Sequence, residues 1–303
     1  MKLTSIITVN FNHPDVTLQF LESVKIHTSV DEVEVIVVDN GSREDHGASF
    51  KDIYPSLIYI RSEKNLGFAG GNNLGIRVAK GDYLLLLNND TEITPGLLSA
   101  LRGELDHRPE VGMISPLILY FDDKTIVQYA GFTEMNYITC RNNTIGEREK
   151  DEGQYNGVSR ETGYCHGAAV MCRKADVDSI GSMDELFFLY YEELDWCEKF
   201  KRAGKKIWFT GDARIYHKES MSVGKESSIK TYFMTRNRML FIRRNTGWLN
   251  TLLFSIYYLG IACPWQITKY LLKGKKGLVR WVIKGITWNL THNKNSASLG
   301  YKI

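Results

Sequence analysis

Four short runs of apolar, β-branched or aromatic residues, Leu3 to Val9, Val33 to Val38, Leu57 to Arg61 and Tyr83 to Asn88, alternate with helix-capable stretches at Asp15 to His27, Glu44 to Tyr54 and Ala69 to Lys80. Near-continuous apolar strands are buried on both faces, and an intervening helix returns the chain for a parallel pairing. The alternation therefore predicts an α/β fold with a single, mostly parallel central sheet flanked by helices. Such a sheet gathers its ligands at the carboxyl ends of its strands. Here those ends are polar: Thr8, Asn10 and Asn12 after the first strand, Asp39, Asn40 and Ser42 after the second, Asn88, Asn89 and Asp90 after the fourth.

From Val111 to Phe209 the pattern turns mixed, with strand-like pieces at Tyr164 to Met171 and Lys206 to Phe209 and a helix from Glu192 to Ala203. No Pro-rich or Ser-rich linker precedes this half, so it is expected to pack onto the same sheet without a hinge. Residues 218–228, rich in Ser, Gly and Lys, read as a mobile loop. The first turn carries no GxGxxG and the chain no GxxxxGK[ST], which argues against a dinucleotide dehydrogenase and a P-loop NTPase. Met1 to Val9 reads as a first strand and not as a leader. Five scattered cysteines with no CxxC pair suit a reducing compartment better than a disulfide framework.

Charge is distributed unevenly. The last acidic residue is Glu226, and residues 227–303 hold 13 of the 38 Lys and Arg, leaving residues 1–226 with 25 basic against 35 acidic groups. An acidic body with a basic tail points to an anionic surface as partner. Within the tail, Ile229 to Arg244 is a basic helix candidate, and Asn245 to Thr268 is an uncharged run of 24 residues flanked by cations on both sides. It is long enough to span a bilayer, but its polar residues favour a helix lying in the interface, with Leu249, Leu252, Leu253, Ile256, Gly260 and Cys263 on one face. A core helix packed on the body is the competing reading.

Several residues are candidates for chemistry. Asp39 is either a ligand contact at a strand end or the acceptor of an Asx turn. Asn88 and Asp90, two apart on an extended segment, point the same way, as either oxygens for a hard divalent cation or a capping turn. Glu193 shares a helical face with Trp196, Cys197 and Phe200, while Asp195 falls beside Lys199 and Glu198 beside Arg202. That makes Glu193 the inward carboxylate, serving either as a general base or as a charge at the helix start. His217 closes a short strand, as a structural hydrogen-bonding group or a ligand.

The order of these pieces is more specific than any one of them. Thr8 to Asn12, Val37 to Ser42, Asn65-Leu-Gly-Phe-Ala-Gly-Gly-Asn-Asn73, Leu87 to Thr91, Tyr191-Glu-Glu-Leu-Asp-Trp-Cys197 with Arg202-Ala-Gly204, and Tyr216-His217 resemble family 2 glycosyltransferases of the GT-A fold, and within them the rhamnosyltransferase-like branch. The likeness extends over roughly residues 3–245. It implies a nucleotide-sugar-binding half at 1–110 and an acceptor-binding half at 111–226, and the charge pattern adds a membrane-associated helical tail at 227–303. It further implies that Thr8, Asn10, Asp39, Asn65, Asn73 and Asn89 surround the nucleotide-sugar. Asp90, with His217 and Asn88, would hold Mg²⁺ or Mn²⁺, and Glu193 would be the catalytic base. In two places the chain departs from the family pattern: Asn88 replaces the first Asp of the DxD motif, and Glu193 stands where Asp is more usual.

The activity so implied is inverting, metal-dependent transfer from a nucleoside-diphosphate-sugar to a glycan or polyprenyl-diphosphate-linked acceptor. It would serve cell-surface polysaccharide synthesis at the cytoplasmic face of the cell membrane, with an anionic membrane surface and no nucleic acid as partner. A nucleotidyltransferase and a non-catalytic membrane-bound sugar-nucleotide-binding protein are the alternatives.

Overall fold

The computed structural model describes residues 2–218 and 227–302, so most of the loop read at 218–228 lies outside the described residues. Four parallel strands, β1 (Thr4–Asn10), β2 (Val33–Asp39), β3 (Ile58–Arg61) and β4 (Tyr83–Leu87), lie in the order β3-β2-β1-β4. The expected helices join them: α1 (Pro14–His27), α2 (Gly47–Ile53) and α3 (Gly67–Val78). In α3 the small residues allow close approach to the sheet, since a Cβ at Gly75 would lie 2.4 Å from Ile7 Cγ2.

The sheet continues through β5 (Thr91–Ile93), β6 (Val111–Tyr120), β7 (Val127–Tyr129), β8 (Ser159–Glu161), β9 (Ala169–Arg173) and β10 (Lys206–His217), with α4 (Leu97–His107), α5 (Lys174–Ile180) and α6 (Glu192–Arg202) around it. It is mixed, which corrects the expectation of a mostly parallel sheet. β9 sits between β4 and β6 and runs antiparallel to both, and β5 and β8 run antiparallel to β10. None of β5, β7, β8 and β9 is preceded by a helical crossover, the connection that parallel pairing needs. The one sheet thus runs through both halves, as the missing linker suggested. Alternate residues of β1 and β2 supply two cores: Ile6, Val35 and Val37 face α1 and α4, whereas Ile7, Ile36 and Val38 face the side shared by Trp196, Phe200, Leu240 and Phe241.

Those last two residues belong to the tail, which is more integrated than its charge suggested. α7 (Ser228–Asn245) is largely buried, and α10 (Lys276–Thr291) packs along it. Arg236 is fully buried, its guanidinium 4.3 Å from the Trp288 ring centre, and Asn289 donates to the Arg236 carbonyl at 2.9 Å. Arg238 donates to the carbonyls of Thr139 and Cys140, Arg243 to that of His292, and Arg244 pairs with Asp184. These four tail arginines are therefore engaged within the protein, and α7 is itself a helix packed into the body.

The uncharged run is not one helix. α8 (Trp248–Tyr257) passes through a π-helical turn at Tyr258–Ala262 into α9 (Cys263–Leu272), and no helix among the described residues is long and apolar enough to cross a membrane. The wider turn rotates the stripe, so Cys263 is buried, whereas Leu249, Leu252, Leu253 and Ile256 stay exposed. Beside them Trp248, Trp265 and Leu272 are 77%, 71% and 83% exposed.

Candidate active site

A cavity of about 570 Å³ opens at the carboxyl ends of β1 and β4. Val9, Phe11, Leu87, Asn88, Asn89 and Asp90 come to it from the strand ends, and Asn65 and Gly67 from the start of α3. Of the residues singled out in the sequence, Asn65, Asn88, Asn89, Asp90 and His217 line it. Thr8, Asn10, Asp39, Asn73 and Glu193 do not.

Beneath the cavity floor the buried polar groups join in a chain. Asn89 Nδ2 donates to Thr17 Oγ1, which donates to Asn10 Oδ1, both at 2.9 Å. Asn10 Nδ2 donates to Asp39 Oδ2 at 2.9 Å, and the other Asp39 oxygen accepts from the Ser42 backbone at 2.9 Å. Asp39 thus makes the Asx-type turn contact weighed above while standing fully buried at the end of β2. Asn65 accepts from the Gly67 backbone and from Asn40 Nδ2, shaping the entry to α3. Asn73 faces elsewhere, donating to Met183 O and Glu185 Oε1.

At the other end of the cavity, Thr91 pairs with His217 across the β5–β10 ladder, which brings Asp90 and His217 together. Asp90 Oδ1 is buried with no hydrogen-bond partner and lies 3.2 Å from His217 Nε2. His217 Nδ1 donates to Gln128 Oε1 at 2.9 Å, which fixes the ring with Nε2 facing the carboxylate. An imidazole nitrogen and a carboxylate that face each other at this distance share either a proton or a cation. A divalent cation fits this donor set: a carboxylate, an imidazole oriented by a second group, and the Asn88 amide alongside. Among the described residues no group of three His, Cys, Asp or Glu comes together, so such an ion would take its remaining ligands from a substrate or water.

Gln128 and His166 line the cavity and were not singled out in the sequence. His166 Nδ1 accepts from the Ala168 backbone at 3.1 Å, leaving Nε2 as the donor of the neutral ring. Burial, aided by the neighbouring His217, pushes its pKa down to about 3. The same turn links the strand end to the acidic helix: Asn88 donates to Ala168 O at 3.0 Å, and a Cβ at Gly167 would lie 3.7 Å from Glu193 Cγ.

α6 has more than one buried face, which corrects the reading of its carboxylates. Glu193 is half-buried, whereas Glu192, Asp195 and Glu198 are buried. Asp195 accepts from Asn245 at 2.8 Å, and Glu198 accepts from Tyr164 and Tyr137 at 2.5 and 2.9 Å. Lys199 donates to Ser182 O and Arg202 to Asn245. The apolar spacing revealed one face, but α7 covers a second. Burial raises the Glu193 carboxyl above its usual range, and raises that of Glu192 well above it, with the neighbouring charge of Glu193 adding to the effect. Glu192 Oε2 has no hydrogen-bond partner. The loop that delivers this pair is strained: Phe188, Tyr190 and Tyr191 have φ of 64°, 69° and 73°, a left-handed conformation costing bulky residues about 1–3 kcal/mol each.

Comparison with known proteins gives one family. The model for "Glycosyl transferase family 2" matches residues 5–180. A low-salt glycan biosynthesis hexosyltransferase of Haloferax volcanii is 28% identical over 214 residues, which span 68% of this chain and 66% of that protein. An N-acetylglucosaminyl-diphospho-decaprenol L-rhamnosyltransferase of Mycobacterium tuberculosis is 22% identical over 253 residues, spanning 76% and 81%. Among solved structures, GalNAc-T7 with UDP, GalNAc and Mn²⁺ superposes with a TM-score of 0.68 at 15% identity, over 95% of this chain and 56% of that one. At that identity the likeness shows the shared fold, a GT-A-like α/β architecture.

The Glu192 environment predicts a pH effect on stability. A carboxyl whose folded pKa is raised holds a proton that the unfolded chain releases, so stability falls as pH rises above the unfolded value of about 4.3. Glu192→Gln is therefore expected to raise Tm at pH 8, with the gain shrinking to nothing as pH is lowered toward 4, as thermal melts across that range would record.

Proposed function

The family match covers more than half of the chain, so the chain belongs to glycosyl transferase family 2, and on that premise we propose that it is an inverting sugar transferase. It would use a nucleoside-diphosphate-sugar and Mg²⁺ or Mn²⁺ and act on a glycan or polyprenyl-diphosphate-linked acceptor at the cytoplasmic membrane face. The observation that carries the reading is the buried Asp90 Oδ1 facing His217 Nε2 at one end of a strand-end cavity whose His166-Gly167 turn packs against Glu193. The hexosyl- and rhamnosyltransferase relatives support transfer of a hexose or deoxyhexose, and the printed acceptor of the second supports a lipid-linked one.

In this reading Asp90 and His217, with the Asn88 amide, would hold a cation, whose chemistry would be to neutralise negative charge on the departing diphosphate. Gln128 fixes the His217 ring so that Nε2 faces Asp90. Asn65, Gly67 and Asn88 shape the cavity around the donor. Glu193 takes the proton from the acceptor hydroxyl as its oxygen attacks the anomeric carbon opposite the leaving diphosphate. The buried Glu192 is the more reluctant of the two to ionise, which leaves the charge on Glu193. The exposed apolar residues of α8 and α9, flanked by Lys269, Lys273, Lys275 and Lys276, support in-plane membrane association.

The functional test is release of nucleoside diphosphate from a panel of UDP-, GDP- and dTDP-sugars in Mn²⁺ with acceptor present. Monophosphate or pyrophosphate release would indicate nucleotidyl transfer, and binding without turnover a sensor. Glu193→Gln is expected to lower kcat by on the order of 10²–10⁴ with donor KM little changed. Asp90→Ala should abolish transfer and weaken Mn²⁺ binding measured by calorimetry, and wild-type metal affinity would refute the ion site. For the tail, the chain should sediment with vesicles containing phosphatidylglycerol and be released in part by salt, whereas no binding at low salt would refute membrane association.

A further inference from the structure

The loop from Phe187 to Tyr191 leads into Glu192 and Glu193 and also supplies Phe188, Leu189 and Tyr190 to the cavity wall. Its left-handed residues need an outside hold, and two fully buried side chains of α7 provide one. Asn237 Nδ2 lies 2.7, 2.9 and 2.8 Å from the carbonyl oxygens of Phe187, Leu189 and Tyr190, sharing its two N–H groups among all three. Arg236 donates to Asn237 Oδ1 at 3.0 Å, which turns the amide nitrogen toward the loop, and to Leu186 O at 2.7 Å. From the opposite side the Phe68 backbone donates to Phe188 O at 2.6 Å, and a Cβ at Gly67 would lie 2.1 Å from that same oxygen. The loop is therefore clamped between α3 of the donor half and α7 of the tail.

We infer that Arg236 and Asn237 are positioning residues for transfer: by pinning the Leu186–Tyr190 carbonyls they set the backbone that places Glu193 against the Gly167 turn at the edge of the cavity, so the tail forms part of the active site. The inference rests on Glu193 being the proton acceptor, but the clamp itself is observable without that assignment. α10 completes the arrangement, with Trp288 stacked on the Arg236 guanidinium and Asn289 bound to the Arg236 carbonyl.

Asn237→Asp keeps the shape of the side chain while setting carboxylate oxygens against three carbonyls, and Asn237→Ala removes the contacts. In hydrogen-exchange mass spectrometry of the full chain, both variants should exchange residues 186–193 at least tenfold faster, with β1, β2 and β4 unchanged. In diphosphate release with whichever panel sugar the wild type turns over, kcat should fall 10- to 100-fold and donor KM by less than threefold either way, because Asn65, Asn88, Asp90 and His217 stand on other elements. A purely packing role for Asn237 would instead leave the isosteric Asp variant like wild type in both readouts. If neither variant of Asn237 yields folded protein, Arg236→Met, which retains much of the buried bulk and removes the Leu186 contact, is scored the same way. Unchanged exchange at 186–193, or unchanged kcat in a variant whose loop does exchange faster, would overturn the inference. Full activity of Glu193→Gln with the exchange effect intact would instead remove the proposed base and leave the clamp standing.

Discussion

Polar side chains at the ends of buried parallel strands are costly to leave without partners, because an unpaired group in the interior costs about 1–3 kcal/mol. Asn10, Thr17, Asp39 and Asn89 meet this constraint by bonding to one another, and the chain they form ties β1, β2 and the β4 turn into one rigid floor. The cavity rests on that floor. Asp90 departs from the rule, since its Oδ1 is buried with no hydrogen bond and faces an imidazole nitrogen. Other buried polar atoms, Thr8 Oγ1 among them, also lack a partner, but among the described residues Asp90 is the one of them that lines the cavity, where a bound species could supply the missing contact.

The second constraint is strain. Three bulky residues in left-handed backbone precede the acidic pair, and the contacts that hold them come from α3 and α7, far apart in sequence. Tail residues thus contribute to the core, to the cavity mouth through Ser227, Ile229 and Lys230, and to the support of the strained loop. Most of the tail's exposed large apolar residues lie on its outer helices, with Phe254, Tyr258 and Cys263 turned inward against the body. One segment therefore serves two environments, and this explains why its composition resembled a separate anchor.

The strands and helices of the first 110 residues were legible because each carries its own period and its own polar end. The short spacing of Asn88 and Asp90 placed both at one strand end, where they line the cavity, whereas the apolar spacing around Glu193 showed only one of the buried faces of α6. Strand direction was not, since an apolar run looks the same whichever way it pairs, and the antiparallel β9 was therefore unforeseen. Gln128 was out of reach because its partner His217 lies 89 residues away. Arg236 and Asn237 likewise bond to carbonyls 47 to 50 residues distant, and a carbonyl leaves no mark on composition. Counting uncompensated cations therefore misjudged α7: its arginines are matched by carbonyls, a tryptophan ring and Asp184, and only the last of these carries a charge.

A single proton acceptor opposite a cation-assisted leaving group allows one displacement and no covalent sugar-enzyme intermediate. The stereochemistry of the product reads this directly. Proton NMR of the glycoside formed from an α-linked nucleotide-sugar should show the β-linked product alone, with inversion at the anomeric carbon. A product that retains the α configuration would contradict the account, because it would require a second displacement or a front-face route that gives Glu193 no part as base.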